Sequence, residues 1–462
     1  MDGTTVLKPP PRTGAPSAPP GPGARLAEGP VARGLAIATA PLAAALLLLF
    51  ALQLAETWLT GLLGPGALAA MGFAAPVVMT VMSFGIGLGA GASAVVARSL
   101  GAGERQVARF ATDALWLAGA ATLAVAVPGW LAAPWLLWAL GVEGEVHALA
   151  LGYLRTWLPG AMPLLVGMVA LSVIRAAGDT RFQGAALAGA SALAFVLDWP
   201  LAFGVPGLLP GLGIIGFAVA AGLAWAAMLV LALGRLRRLG LLDAAPPHGP
   251  LFAASARRVL RVGLPAAGAN AIIPVATGLF TAMIAVHGAA AVAGFGIGSR
   301  AEALALTAFF ALSAVANPFA AQNAGAGRLD RVREGMRAAM LFCAGFGLAL
   351  ALVFQLAGPA LAATFTDDPV VAAAAARYFA VMPWGFGAVG AIVVANAAFN
   401  GLERPLAGVA VSLARTLVLG VPAAWIGGRL GGEAGLLLGI LAANIVVGTA
   451  AAIWVLRATA AR

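Results

Sequence analysis

Long apolar stretches, separated by short polar turns, make up most of the chain after residue 34. Five stretches carry no charged residue, and they fall at 34–55, 114–142, 338–366, 378–402 and 434–456. Each matches or exceeds the ~20 residues that a helix needs to cross the hydrocarbon core of a bilayer. Three longer charge-free runs, 57–97, 199–234 and 262–299, must each contain a turn, and glycine-containing breaks occur at 64–66, 207–213 and 287–290.

This pattern predicts an all-α integral membrane protein with twelve transmembrane helices. Their expected positions are 34–58, 68–98, 108–138, 147–176, 185–205, 214–236, 258–286, 293–322, 332–361, 371–399, 407–428 and 435–457. An even number of spans places both termini on the same side of the membrane.

A second regularity is an internal repeat with an offset of 224 residues. The recurring positions are Pro41 and Pro265, Gly64 and Gly288, Gly72 and Gly296, Pro159 and Pro383, and the turns Gly101-Ala102-Gly103 and Gly325-Ala326-Gly327. Such repeats are typical of transporters in which two similar bundles enclose a central site and move against each other. We therefore expect two pseudo-symmetric six-helix bundles: an N-lobe at 31–239 and a C-lobe at 257–462, joined by a cytoplasmic inter-lobe loop at 240–256.

Composition supports a membrane protein independently of the repeat. The 462 residues are 62% hydrophobic and only 10% charged, with a mean hydropathy of +0.98. A net charge of +10 would suggest nucleic acid as the partner of a soluble protein. Here the charges lie at predicted helix ends, so we expect contact with membrane lipid and no nucleic-acid partner.

The arginines indicate an orientation. They cluster at 98–109, 235–261 and 328–337, whereas the intervening turns carry acids such as Glu143, Asp367 and Glu433. By the positive-inside tendency, both termini and the inter-lobe loop face the cytoplasm. Residues 1–30, rich in proline and glycine, are expected to form a disordered cytoplasmic tail. The arginine and alanine usage suggests a bacterial protein of the inner membrane, and we expect a monomer.

The clearest motifs surround the end of the second predicted helix and its repeat. Residues 87–109 read GLGAGASAVVARSLGAGERQVAR, and residues 311–333 read ALSAVANPFAAQNAGAGRLDRVR. Two more follow in order, Arg175-Ala176-Ala177-Gly178-Asp179-Thr180 and Leu197-Asp198-Trp199-Pro200. Their order and spacing resemble the multidrug and toxic compound extrusion (MATE) family of the MOP flippase superfamily, with the DinF-like branch favoured.

The resemblance implies a secondary active multidrug efflux transporter that works by alternating access between two lobes. Members of that family export amphipathic, often cationic, drugs and other organic compounds by antiport with protons or sodium. The resemblance implies no enzymatic activity and no cofactor beyond the coupling ion. The sequence contains no nucleotide-binding or zinc-hydrolase motif.

Two acids, Glu56 and Asp198, fall within predicted N-lobe helices. A charged side chain near the centre of a spanning helix costs about 2.5–3.5 kcal/mol on insertion scales, so a buried carboxylate is expected to have a task or a partner. In the resemblance, Glu56 takes the place of an acid late in the first helix and Asp198 that of the fifth-helix acid. We expect them to bind the coupling cation as a pair. Glu56 is also compatible with a place at the outer interface, beside Trp58.

Pro41 is expected to weaken the first helix, because an interior proline removes one backbone hydrogen bond and favours a bend. In the family, protonation of the acids is linked to bending there. Two departures from the family pattern concern the ion, since Ala194 and Ala221 stand where many members have asparagine and threonine. Hard cations such as sodium favour several oxygen ligands, so this loss favours H+ over Na+ as the coupling ion.

The C-lobe lacks an acid equivalent to Glu56, because Phe280 stands at the 224-residue offset. Its remaining ionisable residues near predicted helices include Arg300, Glu302 and Arg415. Arg300 and Glu302 are two residues apart and do not face each other on a helix. We expect each of them to pair with another segment, in gating or structural ion pairs.

Substrate contacts are expected to be apolar and aromatic with a few amides, because flexible apolar walls tolerate many shapes. The candidates are Gln53, Tyr153, Trp157, Met162, Trp199, Asn270, Asn396 and Asn400. The alternative function is a flippase for a lipid-linked oligosaccharide or peptidoglycan precursor. It would need a more cationic cavity, which only Arg155, Arg300 and Arg415 could line.

Overall fold

A computed structural model describes residues 25–247 and 249–460, nearly all of them helical. The first half contains α1 (Val31–Leu62), α2 (Pro65–Gly101), α3 (Val107–Ala139), α4 (Gly144–Ala176), α5 (Thr180–Ala202) and α6 (Ile214–Arg238). The second half contains α7 (Gly249–Ala285), α8 (Ala289–Ala305), α9 (Thr307–Gly325), α10 (Leu329–Phe365), α11 (Pro369–Val381), α12 (Phe386–Gly401), α13 (Pro405–Leu413) and α14 (Val421–Ala458).

Twelve membrane spans are present in the described part of the chain. Ten helical segments are long and apolar enough to cross a membrane, and the helices α8 and α9, bent by 46° relative to each other, form an eleventh span. The last segment, Pro405–Ala458, contains two spans, because Gly431 and Gly432 leave the helical conformation. A Cβ added at Gly427 would overlap the Gly435 carbonyl, which is the close approach of an antiparallel hairpin.

The internal repeat is visible in the backbone. Gly64, just before α2, has a φ of 104°, and Gly288, just before α8, has a φ of 105°. Glycine adopts such positive φ values without the steric cost that a side chain would add. The two turns that begin the equivalent spans of each half therefore have the same geometry.

The two lobes touch at the arginine-rich ends of their helices, a side of the molecule that we call the basic side. Here the ends of α2 and α9 cross. A Cβ at Gly101 would overlap the Gln322 carbonyl, and a Cβ at Gly325 would overlap the Arg98 carbonyl. The two contacts are related by the same 224-residue offset, so the crossing lies on the pseudo-twofold axis that relates the lobes.

Helices α1 and α7 cross from one lobe to the other. The first half of α1, through Leu42, packs in the C-lobe core, whereas Leu59 near its end packs in the N-lobe core. In the same way, Val259 in the first half of α7 packs in the N-lobe core, and Ile284 near its end packs in the C-lobe core. Pro41 therefore lies in the part of α1 that passes between the lobes.

The predicted tail and the predicted inter-lobe loop have different boundaries in the structure. Residues 1–24 of the 1–30 tail lie outside the described residues, but Arg25–Ala27 form a short 3-10 helix. The Leu26 N–H donates to Gln322 Oε1 at 3.0 Å, and Asn323 Nδ2 donates to the Leu26 carbonyl at 3.1 Å. Helix α7 begins at Gly249, inside the predicted 240–256 loop, because a proline such as Pro250 fits the first helical turn, where an N–H has no intrahelical partner.

Candidate functional site

Glu56 and Asp198 approach each other within the N-lobe. Glu56 lies in the second half of α1 and Asp198 lies near the end of α5, and these two helices pack against each other. The charge of Glu56 acts on Asp198, and both acids act on Tyr153 of α4, so the three side chains lie within electrostatic range. Asp198 is buried and Glu56 is half-buried. Three helices thus bring two acids and a phenol to one place.

These two carboxylates differ from the other buried acids of the N-lobe in having no counter-charge. Arg235 binds Asp179 through Nε and Nη2 at 2.8 and 2.6 Å, and Arg109 binds Asp113 at 2.6 Å. None of the six ion pairs in the described part of the chain involves Glu56 or Asp198. An unpaired charge in an apolar environment is costly, which suits both groups to reversible binding of a proton or another cation.

The surroundings of the acid pair are aromatic and apolar. Tyr153 and Trp157 are buried in the N-lobe core, and Trp157 packs edge-on against Trp225 with ring centroids 5.6 Å apart. Trp199, next to Asp198, is exposed and stacks on Phe203 at 4.7 Å. Few polar groups are therefore available to replace water around Glu56 and Asp198.

A separate cavity of about 520 Å³ lies between the two lobes. It is lined by α1, α2, α4 and α5 on one side and by α7, α9, α12 and the segment 405–416 on the other. Three of the predicted substrate contacts line it, namely Asn270, Asn396 and Asn400. The other five do not: Gln53, Tyr153, Trp157, Met162 and Trp199. In helices that are apolar on every face, the sequence carries little information about which face meets a cavity.

The charge of this inter-lobe cavity is positive. Arg175 and Arg415 line it, and no aspartate or glutamate is among its described lining residues. In the sequence, Arg175 stands out only as part of a family motif, because an arginine at the end of a predicted helix is normally a topological signal. Of the three arginines that might serve a flippase, Arg155 and Arg300 do not line the cavity. Arg155 instead stacks on Trp130, 5.1 Å from the ring centroid.

A partly buried polar cluster surrounds Arg415 in the C-lobe. The arginine lies in a π-helical segment, Ala414–Gly420, and such local widening of a helix is frequent at functional sites. Its Nε donates to Asn444 Oδ1 at 2.8 Å. The hydroxyl of Tyr378 donates to the Glu302 carboxylate, and Arg415 lies within electrostatic range of both.

This cluster corrects part of the ion-pair prediction. Glu302 does meet another segment, but its contact is a tyrosine hydroxyl, and no direct salt bridge joins it to Arg415 in the described part of the chain. Arg300 is exposed and takes part in none of the ion pairs there. The tyrosine could not be foreseen, because it lies 76 residues from Glu302 in the sequence.

The chain is similar to transport proteins along most of its length. The MatE family profile matches residues 41–200 and 265–426. A Shewanella oneidensis protein named FAD transporter is 31% identical over 428 residues, which cover 92% of this chain and 94% of the relative. A Thermotoga maritima protein named probable multidrug resistance protein NorM is 26% identical over 322 residues, covering 69% of this chain and 68% of the relative.

A solved structure has the same fold. The crystal structure of the Vibrio cholerae MATE transporter VcmN in the bent form matches with a TM-score of 0.87 and 27% sequence identity, over 93% of this chain and 98% of the other. The two family matches begin at Pro41 and Pro265, which are separated by the offset of the internal repeat. With one match in each lobe and the same twelve-span fold, the chain belongs to the MatE family of multi-pass membrane transporters.

Proposed function

We propose that this transporter exports amphipathic organic compounds in exchange for protons that bind at Glu56 and Asp198. The observation that carries the proposal is the proximity of these two acids in an apolar part of the N-lobe, without a counter-charge among the described residues. Ala194 and Ala221, where many family members have oxygen ligands, support protons over sodium. Because the acids interact, the pair titrates as a unit.

Protonation of either acid removes the repulsion between them and thereby changes how α1 and α5 pack. At Gly184 of α5 a Cβ would lie 2.7 Å from the Pro41 carbonyl, so the two helices are in close backbone contact. Helix α1 continues from Glu56 through Pro41 into the C-lobe core. A bend at Pro41 would transmit a change at the acid pair to the lobe interface.

The proposed orientation places the basic side in the cytoplasm of a bacterial cell, with both termini on that side. The lobes touch at the basic side, so with this orientation the described form would be closed to the cytoplasm. Alternating access would require the crossing of α2 and α9 to open while the opposite ends of the lobes approach each other.

Organic cations are the first class of substrate proposed, because two acids without counter-charge would attract them and because a relative is named a multidrug resistance protein. Export of FAD is a second candidate. It is favoured by the 31% identity to a protein named FAD transporter and by the arginines of the inter-lobe cavity.

The proposal is tested by efflux from proteoliposomes under an imposed proton or sodium gradient, with ethidium and FAD as separate cargoes. We expect a proton gradient to drive export of at least one cargo, and Glu56→Gln and Asp198→Asn each to abolish it. Glu145→Gln is the matched control, because Glu145 is an exposed acid in the first turn of α4. Sodium-only transport, or full activity in both variants, would contradict the proposal, and gradient-independent movement of a lipid-linked precursor would favour a flippase.

A further inference from the structure

Polar atoms without a hydrogen-bond partner are concentrated in the inter-lobe cavity. Apart from the Arg109–Asp113 ion pair, six side chains of the described residues contain a buried atom of this kind: Thr39, Ser93, Arg175, Gln183, Asn317 and Asn396. The last four of these line the cavity. Buried polar groups in folded proteins are nearly always satisfied, so a cluster of unsatisfied ones indicates a place that a ligand completes.

Of these groups, Arg175 gives the clearest indication of a ligand. Only 9% of it is exposed. Among the described residues, its side chain makes one hydrogen bond, from Nη2 to the Ser172 hydroxyl at 3.3 Å, and its Nε has no partner. The acid nearest in sequence, Asp179, is already bound by Arg235. A buried arginine without a counter-ion is a functional-site candidate in a membrane protein. Because its guanidinium is positively charged, the ligand group that complements it is an anion.

Arg415 adds a second positive charge to the cavity wall. Part of its hydrogen-bonding capacity is used by Asn444, and Glu302 lies within electrostatic range of it. The positive charge of Arg175 is therefore less compensated than that of Arg415. No aspartate or glutamate is among the described residues of the cavity wall, so the charge of Arg175 is uncompensated on the side that a ligand would occupy.

The three amides supply unused acceptors. Asn317 Nδ2 donates to the Ala90 carbonyl at 3.1 Å, and Asn396 Nδ2 donates to the Ser412 hydroxyl at 3.1 Å, so each side chain retains a free Oδ1. Gln183 has a free Oε1. Free amide oxygens accept N–H or O–H groups, so the complementary ligand carries donors as well as a negative charge.

We propose that the inter-lobe cavity binds an amphipathic organic anion. The phosphate or carboxylate of this ligand contacts Arg175. Its hydroxyl or amino groups donate hydrogen bonds to the free amide oxygens of Gln183, Asn317 and Asn396. Its apolar part packs against Met168 and Phe310 of the cavity wall. This assignment rests on the proposed export function and names the substrate class for its second candidate. It also departs from the cationic class expected from the sequence, because an uncompensated arginine repels a cation.

The test is ligand binding to the purified full-length protein in lipid nanodiscs, without any ion gradient. The probes are FAD, which carries two phosphates, riboflavin, which has the same isoalloxazine ring but neither the phosphates nor the adenosine, and fluorescein, an aromatic carboxylate. We expect the wild type to bind FAD at least about tenfold more tightly than riboflavin, and Arg175→Gln to remove this difference. Arg175→Lys should retain part of it, and Arg155→Gln, which changes an exposed arginine outside the cavity, should retain all of it.

Fluorescein distinguishes the two kinds of acidic group. If fluorescein binding also depends on Arg175, the site accepts organic anions in general, and if only FAD binding does, it selects phosphates. Equal wild-type affinities for FAD and riboflavin, unchanged FAD affinity in Arg175→Gln, or no binding of either anion would overturn the proposal. Should Arg175→Gln not fold, wild-type FAD binding that is insensitive to salt would also overturn it, because an ionic contact is screened.

The outcome is independent of proton coupling. Binding is measured at equilibrium, so a negative result here leaves the roles of Glu56 and Asp198 to be judged by the efflux assay. If substitution of those acids leaves efflux unchanged, anion binding at Arg175 is likewise unaffected.

Discussion

The chain contains only two tyrosines, and each lies beside an acid within the membrane. Tyr153 is within electrostatic range of Glu56 and Asp198, whereas Tyr378 donates a hydrogen bond to Glu302. The first pair of acids has no ion-pair partner among the described residues, and the third acid is held by its tyrosine in a cluster with Arg415. The same residue type therefore lies beside the proposed coupling site in one lobe and within a polar cluster in the other.

Replacement of Tyr378 by phenylalanine should destabilise the protein. The variant leaves the half-buried Glu302 carboxylate without its hydrogen bond, which costs about 1 kcal/mol, the lower end of the range for a buried group. The measurement is the thermal unfolding midpoint of the detergent-purified protein. Tyr153→Phe is the matched variant, and it should impair proton-driven efflux with a smaller change in the unfolding midpoint. If Tyr378→Phe is as stable as the wild type, the structural role assigned to this cluster is wrong.

Some candidate functional residues can be predicted from the sequence, and others can be recognised only in the structure. Glu56 and Asp198 stand out because acids are rare within apolar runs. Arg175 does not stand out, because arginines at helix ends are common, and only the three-dimensional structure shows that it faces a cavity. The prediction of Met162 and Trp199 as substrate contacts rests on residue type alone, and neither lines the inter-lobe cavity.

At the scale of helices, the crossing of α2 and α9 holds the basic side closed. The reciprocal contacts of Gly101 and Gly325 bring two backbones together, and Gln322 adds hydrogen bonds to Leu26 and to the Ala176 carbonyl of α4. Small residues at a helix interface allow this approach in membranes, where packing and hydrogen bonding rather than hydrophobicity drive association. The closed form therefore depends on the absence of a side chain at Gly101 and Gly325.

Substitution of Gly101 by alanine should open the basic side, because the new Cβ overlaps the Gln322 carbonyl and overpacking costs about 1–3 kcal/mol. Ala321, fully buried in α9 within the N-lobe core, is a suitable reporter position. In a Cys343→Ala background, Ala321→Cys should react faster with a membrane-impermeant maleimide when Gly101→Ala is present. The labelling should occur in inside-out vesicles, which also tests the proposed orientation.

Gly72→Ala is the control, since this glycine lies in the same helix with open space around it. Equal labelling rates in all three proteins would show that the α2–α9 contact does not hold the lobes closed. Labelling only from the opposite membrane side would reverse the proposed orientation.

The sequence predicted where helices begin and end far better than how they are shaped or which face they bury. Charge-free runs set the spans, and the turns at Gly64 and Gly288 followed from glycine alone. The bend between α8 and α9 and the π-helical segment around Arg415 have no comparable signal. Both depend on packing against neighbouring helices, and hydrophobicity in this chain is nearly uniform around each helix.

At the scale of the whole molecule, the repeat predicts two lobes but not their exchange of helix segments. The first halves of α1 and α7 pack in the opposite lobe, so neither lobe is a self-contained block of the sequence. This arrangement links the two proposed sites. Helix α1 contains Glu56, passes between the lobes near Pro41, and contributes Leu46 to the wall of the inter-lobe cavity. A change of charge at the acid pair can thus alter the site that would hold the substrate.

The central claim is that substrate export is coupled to protons bound at Glu56 and Asp198, and proton release on substrate binding tests it most directly. The purified protein, in weakly buffered detergent solution with a pH indicator, is mixed with a compound that the efflux assay identifies as a substrate. The account predicts that the wild type and Glu145→Gln release protons and that the double variant Glu56→Gln, Asp198→Asn releases none. No release from the wild type, or equal release from the double variant, would contradict it.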